Sequence, residues 1–237
     1  MIRPLARSDE EELLDRGDLD PSDLSENLRD LARAGRWPGG NGMILARLKT
    51  RLALWPKDRE IRILDVGAGG CDLSLALSDL CERLSVRSRI VCLDRARRTL
   101  DFARARVGDH SGLHLVRGDA LALPFLPGSF DFVLCSLVLH HIPPEEGAAF
   151  LRGLAAAARE GVLVSDLRRG RWEYFWIYLV SRVFFSGHVA RNDAPLSVLR
   201  SLTLRDARSL LVEAGWKRGR AEKCFPLRLF LLDRPLP

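Results

Sequence analysis

Short apolar runs and longer segments of helical periodicity alternate along the middle of the chain. Five runs rich in Val, Ile and Leu show no alternation of apolar and polar positions, which is typical of parallel strands covered on both faces. They cover residues 61–66, 90–94, 113–116, 132–135 and 162–165. Apolar residues recur at helical spacing in the segments between them, 72–84, 96–107 and 145–159. This alternation predicts an α/β fold with a doubly wound, mostly parallel sheet.

The C-terminal part of the chain predicts a helix followed by a hairpin. Thr203 can cap a helix over 204–214, and Gly215 stands where a helix end favours a left-handed residue. Two apolar runs, 216–225 and 227–232, follow and are separated by a proline. We expect them to form an antiparallel hairpin added to the parallel sheet, because such a pair needs only a short turn.

The N-terminal part carries two helical stretches and a break. Residues 9–30 are acidic and helical in pattern, and residues 28–54 carry apolar positions around a break at 36–42 that contains one proline and three glycines. We interpret the break as a hinge at the front of the sheet. The predicted division is an N-terminal helical lid over 1–55 and a core domain over 56–237, with a substrate-covering insertion at about 167–200.

Composition is that of a globular protein and gives no sign of nucleic-acid binding. Of the 237 residues, 47% are hydrophobic and 29% are charged, the usual balance of a folded domain. The formal charge of +6 divides into −6 over residues 1–30 and +12 over the rest, and no run of five or six basic residues occurs. We therefore expect no nucleic-acid partner.

The cysteines and the apolar segments indicate a cytoplasmic protein without a bound metal. The five cysteines are scattered and form no Cys-x-x-Cys pair, so neither a zinc cluster nor a disulfide framework is predicted. The N-terminus shows no apolar signal-peptide core. The longest apolar run, 172–185, contains Glu173 and Arg182 and is shorter than the roughly 20 residues of a membrane span. At most, peripheral contact with a membrane is expected.

A glycine-rich turn and three aspartates converge on one edge of the predicted sheet. Gly67 and Gly69 follow the first strand and open the first helix, where a tight turn leaves room for a ligand beside unpaired N–H groups. Asp94 ends the second strand, a position suited to the hydroxyls of a ribose. Asp119 follows the third strand and could accept a hydrogen bond from an adenine amine. Asp65 lies inside the first strand, where a buried carboxylate needs partners.

Together with the segment 123–133, these residues resemble class I S-adenosylmethionine-dependent methyltransferases. The run Leu139-His140-His141-Ile142 is similar to the branch that holds the ubiquinone and menaquinone C-methyltransferases and many small-molecule O-methyltransferases. The resemblance covers roughly residues 60–166. It implies a Rossmann-like fold and S-adenosylmethionine as the cofactor.

The resemblance also implies the positions that contact this cofactor. Gly67 and Gly69 would pass under the methionine moiety, Asp94 would hold the ribose, and Asp119 would meet the adenine amine. The remaining cofactor-binding candidates are Asp65, Ala68, Arg95, Ala120, Cys135 and Ser136, the last two beside the sulfonium. Cys71 stands where the family commonly has a third glycine, so its side chain must either point away from the cofactor or crowd it.

Two adjacent histidines are the candidates for catalysis. Methyl transfer is an in-line displacement in which the protein mainly positions two ligands and excludes water. A histidine near neutral pH suits the removal of a proton from a phenol or enol acceptor. His140 and His141 lie at the carboxyl end of the fourth strand, either as a base or as a cap of the next helix, and Asp166 is a weaker candidate.

Substrate identity is expected to depend on segments outside the core. The helical segment 171–185 is apolar nearly all round, so it is either a cover helix packed on the sheet or the wall of an aromatic pocket. The polar segment 188–197 is turn-like in pattern and could complete the pocket. The substrate-binding candidates are Trp37, Trp172, Tyr174, Trp176, His188 and Arg191.

The sequence predicts methyl transfer to a small hydrophobic acceptor, with O-methylation of a phenolic or polyketide-like compound of secondary metabolism as the leading interpretation. C-methylation of a quinone precursor, through a quinol, is the close alternative. A NAD-dependent oxidoreductase is a second class, although Asp72 occupies the position of the third glycine and would repel a pyrophosphate. A non-catalytic cofactor-binding protein is a third, and the oligomeric state is left open.

Overall fold

The computed structural model describes residues 5–37 and 39–234, so Pro38 of the predicted hinge and the outermost residues of both termini lie outside the described residues. Its centre is one seven-stranded sheet with the strand order β3-β2-β1-β4-β5-β7-β6. The strands are β1 (Ile61–Val66), β2 (Ser88–Asp94), β3 (Leu113–Arg117), β4 (Phe130–Ser136), β5 (Ala158–Leu167), β6 (Arg220–Cys224) and β7 (Arg228–Leu232). The first five are parallel, and β7 runs antiparallel between β5 and β6. The predicted α/β class and the antiparallel C-terminal hairpin are confirmed.

Helices connect the strands and cover both faces of the sheet. They are α1 (Pro21–Gly35), α2 (Asn41–Ala53), α3 (Asp72–Arg83), α4 (Arg97–Val107), α5 (Gly147–Ala157), α6 (Arg171–Phe184), α7 (His188–Arg200) and α8 (Leu204–Glu213). Short 3₁₀ turns cover Leu13–Arg16, Leu139–His141 and Pro144–Glu146. Among the described residues, no helix combines the length and the apolarity needed to cross a membrane.

The core consists of two apolar layers, one on each face of the sheet. On one face, helices α2, α3 and α4 pack against the sheet through buried residues that include Ile44, Leu77, Ile63, Phe132 and Phe230. On the other face, α5 and α8 pack through residues that include Leu151, Leu211, Val133 and Val164. Because both faces are covered, the strands read as continuous apolar runs, which is why their positions could be predicted.

Local signals fix the helix that precedes the hairpin. The Thr203 hydroxyl accepts a hydrogen bond from the backbone N–H of Asp206, and the Asp206 carboxylate accepts one from the N–H of Thr203. This reciprocal pair begins α8. Gly215 follows the helix with a φ of +75°, in the left-handed conformation that glycine adopts freely.

The structure corrects two expectations for the segments outside the core. The acidic stretch 9–30 is α-helical only from Pro21 onward; residues 5–12 belong to no helix or strand, and a single 3₁₀ turn follows. The segment 188–197, predicted as turn-like, lies in helix α7, which contains Pro195.

One tertiary contact accounts for both corrections. The buried carboxylate of Asp193 in α7 accepts hydrogen bonds from the backbone N–H groups of Leu13 (2.9 Å) and Leu14 (3.0 Å). Ser8 adds a backbone hydrogen bond from its N–H to the carbonyl of Leu199 at the end of the same helix. The N-terminal segment therefore lies on α7, and contacts distant in sequence override the local preferences of both segments.

Candidate functional site

The carboxyl ends of the parallel strands open into a cavity of about 1210 Å³. The loops after β1, β2, β3 and β4 line it, together with residues of α1, α6, α7 and the β6–β7 turn. Ligands of open α/β sheets bind at this edge, where the direction of the connections reverses. In this sheet the reversal falls between β1 and β4, beside the glycine-rich loop.

The glycine-rich loop turns tightly at two left-handed positions. Gly67 has a φ of +68° and Gly69 a φ of +54°. A Cβ on Gly67 would lie 2.2 Å from Cγ2 of Val138, so no side chain fits at this position, and Gly67 lines the cavity. A Cβ on Gly69 would meet no atom within 4 Å, and this is where the loop borders open space.

Cys71 does not block the cavity. It adopts a left-handed conformation (φ 60°, ψ 26°) at the start of α3, and its side chain is fully buried beside Cys92. Gly70 and Asp72 on either side of it line the cavity, whereas Cys71 does not. The thiol thus points away from the proposed cofactor position and does not crowd it.

Asp65 is a buried carboxyl group beneath the loop. Its Oδ2 accepts a hydrogen bond from the hydroxyl of Ser74 at 2.6 Å. Burial raises the pKa of Asp65 from 3.8 to about 7, the negative charges of Asp94 and Asp72 add to the rise, and the Ser74 hydroxyl opposes it. This carboxyl group therefore keeps its proton to a much higher pH than an exposed aspartate does.

Asp94 holds the loop and faces the cavity. Its Oδ2 accepts a hydrogen bond from the N–H of Gly69 (3.0 Å), and its Oδ1 accepts one from the N–H of Ala96 (2.9 Å). Burial raises its pKa, while the same backbone donors lower it. Asp119 is exposed at the cavity edge, and its Oδ1 accepts a hydrogen bond from the N–H of Leu121 (2.9 Å). Each carboxylate keeps acceptor capacity for a ligand.

The other predicted cofactor-binding positions divide into two groups. Ala68, Arg95, Ala120 and Ser136 line the cavity. Cys135 does not line it, because this residue of β4 points into the apolar layer under α5. Arg95 is exposed and donates a hydrogen bond to Asp15 of the N-terminal turn at 3.0 Å, so its position also ties that turn to the end of β2.

The two predicted catalytic histidines lie side by side in the cavity, each supported by a carboxylate. Nδ1 of His140 lies 2.7 Å from Oδ1 of Asp166, and Nδ1 of His141 lies 2.7 Å from Oδ2 of Asp15. Burial alone would raise the pKa values of Asp15 and Asp166, but the adjacent histidines lower both. Ionised carboxylates only accept hydrogen bonds, so each Nδ1 donates, and the tautomer that leaves a lone pair on Nε2 is the one that this contact selects.

Glu12 closes this cluster from the N-terminal segment. Its two oxygens lie 3.6 Å from Nε2 of His140 and 3.9 Å from Nε2 of His141. Burial raises the pKa of Glu12 from 4.5 to about 7, and His141 and the Ser197 hydroxyl oppose the rise. The side chain of His141 is one-fifth exposed, whereas that of His140 is almost fully buried.

The same cluster offers a set of metal ligands. One carboxylate oxygen of Glu12 and one ring nitrogen each of His140 and His141 lie within 4.8 Å of one another. A pair of histidines with one carboxylate suits divalent zinc or iron. The sequence predicted no metal site, because Glu12 is distant from the histidines along the chain.

The predicted substrate-binding residues are only partly brought together. Trp37, Trp172 and Trp176 line the cavity, and Trp37 packs against Phe185 with ring centroids 6.0 Å apart. Three others lie outside it, for different reasons. Tyr174 stacks on Tyr178, His188 is exposed beside Asp23, and Arg191 donates a hydrogen bond to the carbonyl of Phe185.

Helix α6 fits one of the two interpretations given for it, the wall of a pocket, better than the other, a cover helix packed on the sheet. Trp172, Trp176, Ile177 and Val180 line the cavity, so one side of the helix is a pocket wall. The other side is not packed on the sheet; Phe175, Tyr178, Leu179, Val183 and Phe184 are exposed. The interpretation as a fully buried cover helix is therefore wrong.

Sequence reasoning missed several charged residues of the cavity, among them Glu12, Asp15 and Arg228. Glu12 and Asp15 lie in an acidic stretch where no local signal separates them from Glu10 or Glu11. Arg228 begins β7 and is one of many arginines in the chain. All three reach the cavity through tertiary contacts that periodicity does not encode.

Comparison with known proteins places residues 63–161 in a family described as "Methyltransferase domain". Over 91 residues the chain is 31% identical to the demethylmenaquinone methyltransferase of Staphylococcus haemolyticus, which is 37% of each protein. Over 117 residues it is 35% identical to the ubiquinone biosynthesis O-methyltransferase of Bordetella bronchiseptica, covering 46% of this chain and 43% of that one. The chain thus spans less than half the length of these curated relatives.

Solved structures share the fold over nearly the whole chain. A S-adenosylmethionine-dependent methyltransferase from Aquifex aeolicus superposes with a TM-score of 0.60 at 15% identity, covering 91% of this chain and 98% of that one. Human N-acetylserotonin methyltransferase, solved with S-adenosylmethionine, gives a TM-score of 0.62 at 17% identity, covering 92% of this chain and 57% of that one.

Replacing the buried carboxyl group beneath the loop is expected to change how stability depends on pH. Because the pKa of Asp65 is raised to about 7 in the folded chain, the folded state retains a proton that the unfolded state releases above about pH 4. The contribution of Asp65 to the free energy of unfolding therefore falls between pH 4 and 7, by about 1.4 kcal/mol per unit of pKa difference. Asp65→Asn removes this loss, so it should gain stability relative to the wild type as pH rises.

Urea unfolding at pH 4.5, 6 and 8 measures this difference. The exposed residue Asp79 of α3 supplies the control, Asp79→Asn, whose stability should follow the wild type at every pH. A constant difference between Asp65→Asn and the wild type across the three pH values would contradict the prediction.

Proposed function

Because the chain carries a class I S-adenosylmethionine-dependent methyltransferase domain, we propose that it transfers a methyl group from S-adenosylmethionine to a small hydrophobic acceptor. The observation that carries the proposal is one cavity with two sides. The glycine-rich loop and the aspartates after β2 and β3 lie on one side, and two carboxylate-supported histidines lie on the other.

The residues present fit the cofactor. Gly69 leaves open space where a side chain would otherwise project, and the first N–H groups of α3 lie next to it. Asp94 would accept hydrogen bonds from the ribose hydroxyls, and Asp119 from the adenine amine. Ala68, Ala120, Arg95 and Ser136 complete the lining, and Asp65 lies below the loop. When bound, S-adenosylmethionine supplies an electrophilic methyl group on a positively charged sulfur.

His141 is the proposed base for the acceptor. Asp15 holds its Nδ1–H, so that Nε2 presents a lone pair within the cavity, and its side chain is the more accessible of the two rings. Removing the proton of an acceptor hydroxyl makes its oxygen a better nucleophile. The proton passes to Nε2, and the carboxylate of Asp15 stabilises the imidazolium that forms.

His140 is proposed to support the acceptor from beside that base. Asp166 accepts hydrogen bonds from both its ring Nδ1–H and its backbone N–H. Its ring centroid lies 4.2 Å from that of His141, so the two rings bound one part of the cavity. The N-terminal segment that carries Glu12 covers them, and we propose that residues 1–55 act as a lid that excludes water.

Three tryptophans support a hydrophobic acceptor. Trp37, Trp172 and Trp176 contribute large apolar surfaces to the cavity wall. We favour O-methylation of a phenolic or polyketide-like compound of secondary metabolism, because a general base assists attack by a hydroxyl oxygen. The names of the relatives, a demethylmenaquinone methyltransferase and a ubiquinone biosynthesis O-methyltransferase, keep C-methylation of a quinone precursor as the alternative.

Two other classes fit less well. The carboxylate of Asp72 forms an ion pair with Arg106 at 2.6 Å. This partner reduces the repulsion between Asp72 and a dinucleotide pyrophosphate, so Asp72 excludes NAD less strongly than the sequence suggested. The family and fold comparisons favour a methyltransferase over an oxidoreductase. A non-catalytic protein would have no need for two histidines with their carboxylates in the cavity. The cysteines are all free, which fits the cytoplasm that we propose as the location.

Asp94→Ala is expected to weaken S-adenosylmethionine binding at least tenfold, because it removes the proposed ribose acceptor and the partner of the Gly69 N–H. Titration calorimetry measures the dissociation constant. Asp101→Ala, an exposed position in α4, is the control and should bind like the wild type. Tight binding of NAD with no binding of S-adenosylmethionine would replace the proposal with the oxidoreductase class.

His141→Gln is expected to lower kcat about 10²- to 10⁴-fold, the range of general base catalysis, while S-adenosylmethionine still binds. The assay uses the acceptor found by screening phenols and quinols with labelled cofactor. His188→Gln, an exposed histidine outside the cavity, should keep the wild-type rate. Activity should also survive EDTA; a loss that Zn²⁺ or Fe²⁺ restores would give the histidines a metal-binding role instead.

Trp176→Ala is expected to raise KM for a long-chain phenol about tenfold, or about 1.4 kcal/mol, with a smaller effect on phenol itself. The reason is that the indole lines the cavity where an apolar chain would lie. Phe175→Ala is the matched control, since this neighbour is exposed on the outer side of the same helix. Equal effects of the two substitutions would argue against a pocket wall.

A further inference from the structure

Arg228 places a buried positive charge at the edge of the cavity. It begins β7, where its Cα pairs with Leu167 of β5, and it is 7% exposed. Its Nη1 donates hydrogen bonds to the hydroxyls of Ser136 (3.2 Å) and Ser165 (3.1 Å). Both partners are neutral, so these contacts orient the guanidinium without compensating its charge.

The charge of Arg228 has no direct counterion. Across residues 5–37 and 39–234, no carboxylate oxygen lies within 4.0 Å of its guanidinium nitrogens. Burial lowers the pKa of Arg228, and the charge of Asp166 opposes this only partly. That carboxylate is already bound to the His140 ring, the His140 N–H and the Leu167 N–H. A buried cation without a counterion lowers the stability of the folded chain. A residue with only a structural role would not need to carry such a charge.

Three partly buried arginines are different in this respect. Arg169 forms an ion pair with Asp206 at 2.6 Å, and Arg106 forms one with Asp72 at 2.6 Å. Arg47, which packs on the same face of the sheet over Phe230, forms one with Glu222 at 2.7 Å. Arg228 is more buried than these three, yet its carboxylate partner is missing from the described protein.

The free donors of Arg228 are accessible from the cavity. A guanidinium offers five N–H groups, and only those of Nη1 have partners among the described residues. Among the described residues, the side-chain nitrogens that have neither solvent contact nor a hydrogen-bond partner are Nε of Arg51, Nε of Arg169 and Nε1 of Trp216. Nε and Nη2 of Arg228 are not among them, and the residue lines the cavity. A ligand in the cavity can therefore reach these N–H groups.

We propose that Arg228 binds a carboxylate group of a ligand in the cavity. The inference rests on the proposed function, because the ligand is either the acceptor or the cofactor of the methyl transfer. The planar guanidinium matches a carboxylate with two parallel hydrogen bonds, and the two serine hydroxyls hold it in place. The bound carboxylate supplies the missing counterion.

The position of Arg228 favours the acceptor as the source of this carboxylate. The guanidinium reaches from β7 across β5 to Ser136 at the end of β4. Ser136 is itself one of the proposed cofactor-lining residues, but the glycine-rich loop and Asp94 follow β1 and β2, which lie further from β7 in the strand order. The histidines, by contrast, follow β4 directly, and Asp166 lies next to Ser165 in β5. The acceptor would then be an aromatic hydroxy acid, with its apolar part on the tryptophans and its carboxylate on Arg228.

Two binding experiments on Arg228→Gln and Arg228→Lys distinguish the two sources. In the first, titration calorimetry compares S-adenosylhomocysteine with 5′-methylthioadenosine, which lacks the carboxylate. In the second, NMR titration compares 4-hydroxybenzoate with phenol. The control is Arg47→Gln, which removes a paired arginine outside the cavity lining.

If the acceptor supplies the carboxylate, the preference of the wild type for 4-hydroxybenzoate over phenol falls about tenfold or more in Arg228→Gln, and nucleoside binding is unchanged. If the cofactor supplies it, S-adenosylhomocysteine binding weakens about tenfold while 5′-methylthioadenosine binding does not. Arg228→Lys should lie between, since it keeps the charge but loses the planar fork. If neither preference changes in either variant, the proposal is overturned.

Thermal unfolding separates this role from a structural one. Because the charge has no counterion, Arg228→Gln should leave Tm unchanged or raise it. A fall of several degrees in both variants, with both ligand preferences intact, would make Arg228 a structural residue and overturn the proposal. Failure of the wild type to bind S-adenosylhomocysteine would instead overturn the proposed function, while the comparison of 4-hydroxybenzoate with phenol would still report on Arg228.

Discussion

The contact on which the site depends most is the one between the Asp193 carboxylate and the N–H groups of Leu13 and Leu14. It satisfies the first free donors of a 3₁₀ turn that no local side chain caps. The turn then presents Glu12 and Asp15 to the two histidines, and Asp15 also to Arg95. Without this contact the histidines would lose one supporting carboxylate, and the cavity would lose its cover on that side.

The two sides of the cavity differ in their electrostatics. On the side of the glycine-rich loop, burial raises the pKa values of Asp65 and Asp94, and few positively charged side chains oppose this rise. On the side of the histidines, the imidazoles lower the pKa values of Asp15 and Asp166. The first side thus suits a ligand with a positive sulfur and hydroxyl donors. The second holds ionised carboxylates that fix ring tautomers for proton transfer.

The sequence was a good guide where a signal is local or periodic. Strands buried on both faces appear as apolar runs, and the acidic residue at the end of β2 could be placed at the cavity because parallel strands share one edge. His140 and His141 follow β4 directly, and the same rule brought them to the site. The hairpin and the Thr203 cap were predicted for the same reason, since turn and capping signals lie within a few residues.

Prediction failed where residues distant in the chain decide the structure. Asp193 and Pro195 suggest a turn, yet both lie in helix α7. There the Asp193 carboxylate accepts hydrogen bonds from the N-terminal segment, a contact that no local pattern encodes. Glu12 could not be told from its acidic neighbours, and Arg228 could not be told from the other arginines. Helix α6 could have been a cover helix or a pocket wall by its sequence, and most of its aromatic residues are exposed because only one side of the helix meets the rest of the chain.

The position of β7 between β5 and β6 has a consequence for the order in which the molecule is assembled during synthesis. Strand β6 emerges from the ribosome before β7 but can join the sheet only through it. Leu13 is bound by Asp193, which is 180 positions further along. The segment around Leu13 is therefore made well before the carboxylate that holds it. A ribosome-bound chain that stops before β7 would carry a nearly complete parallel sheet with an unfinished pocket.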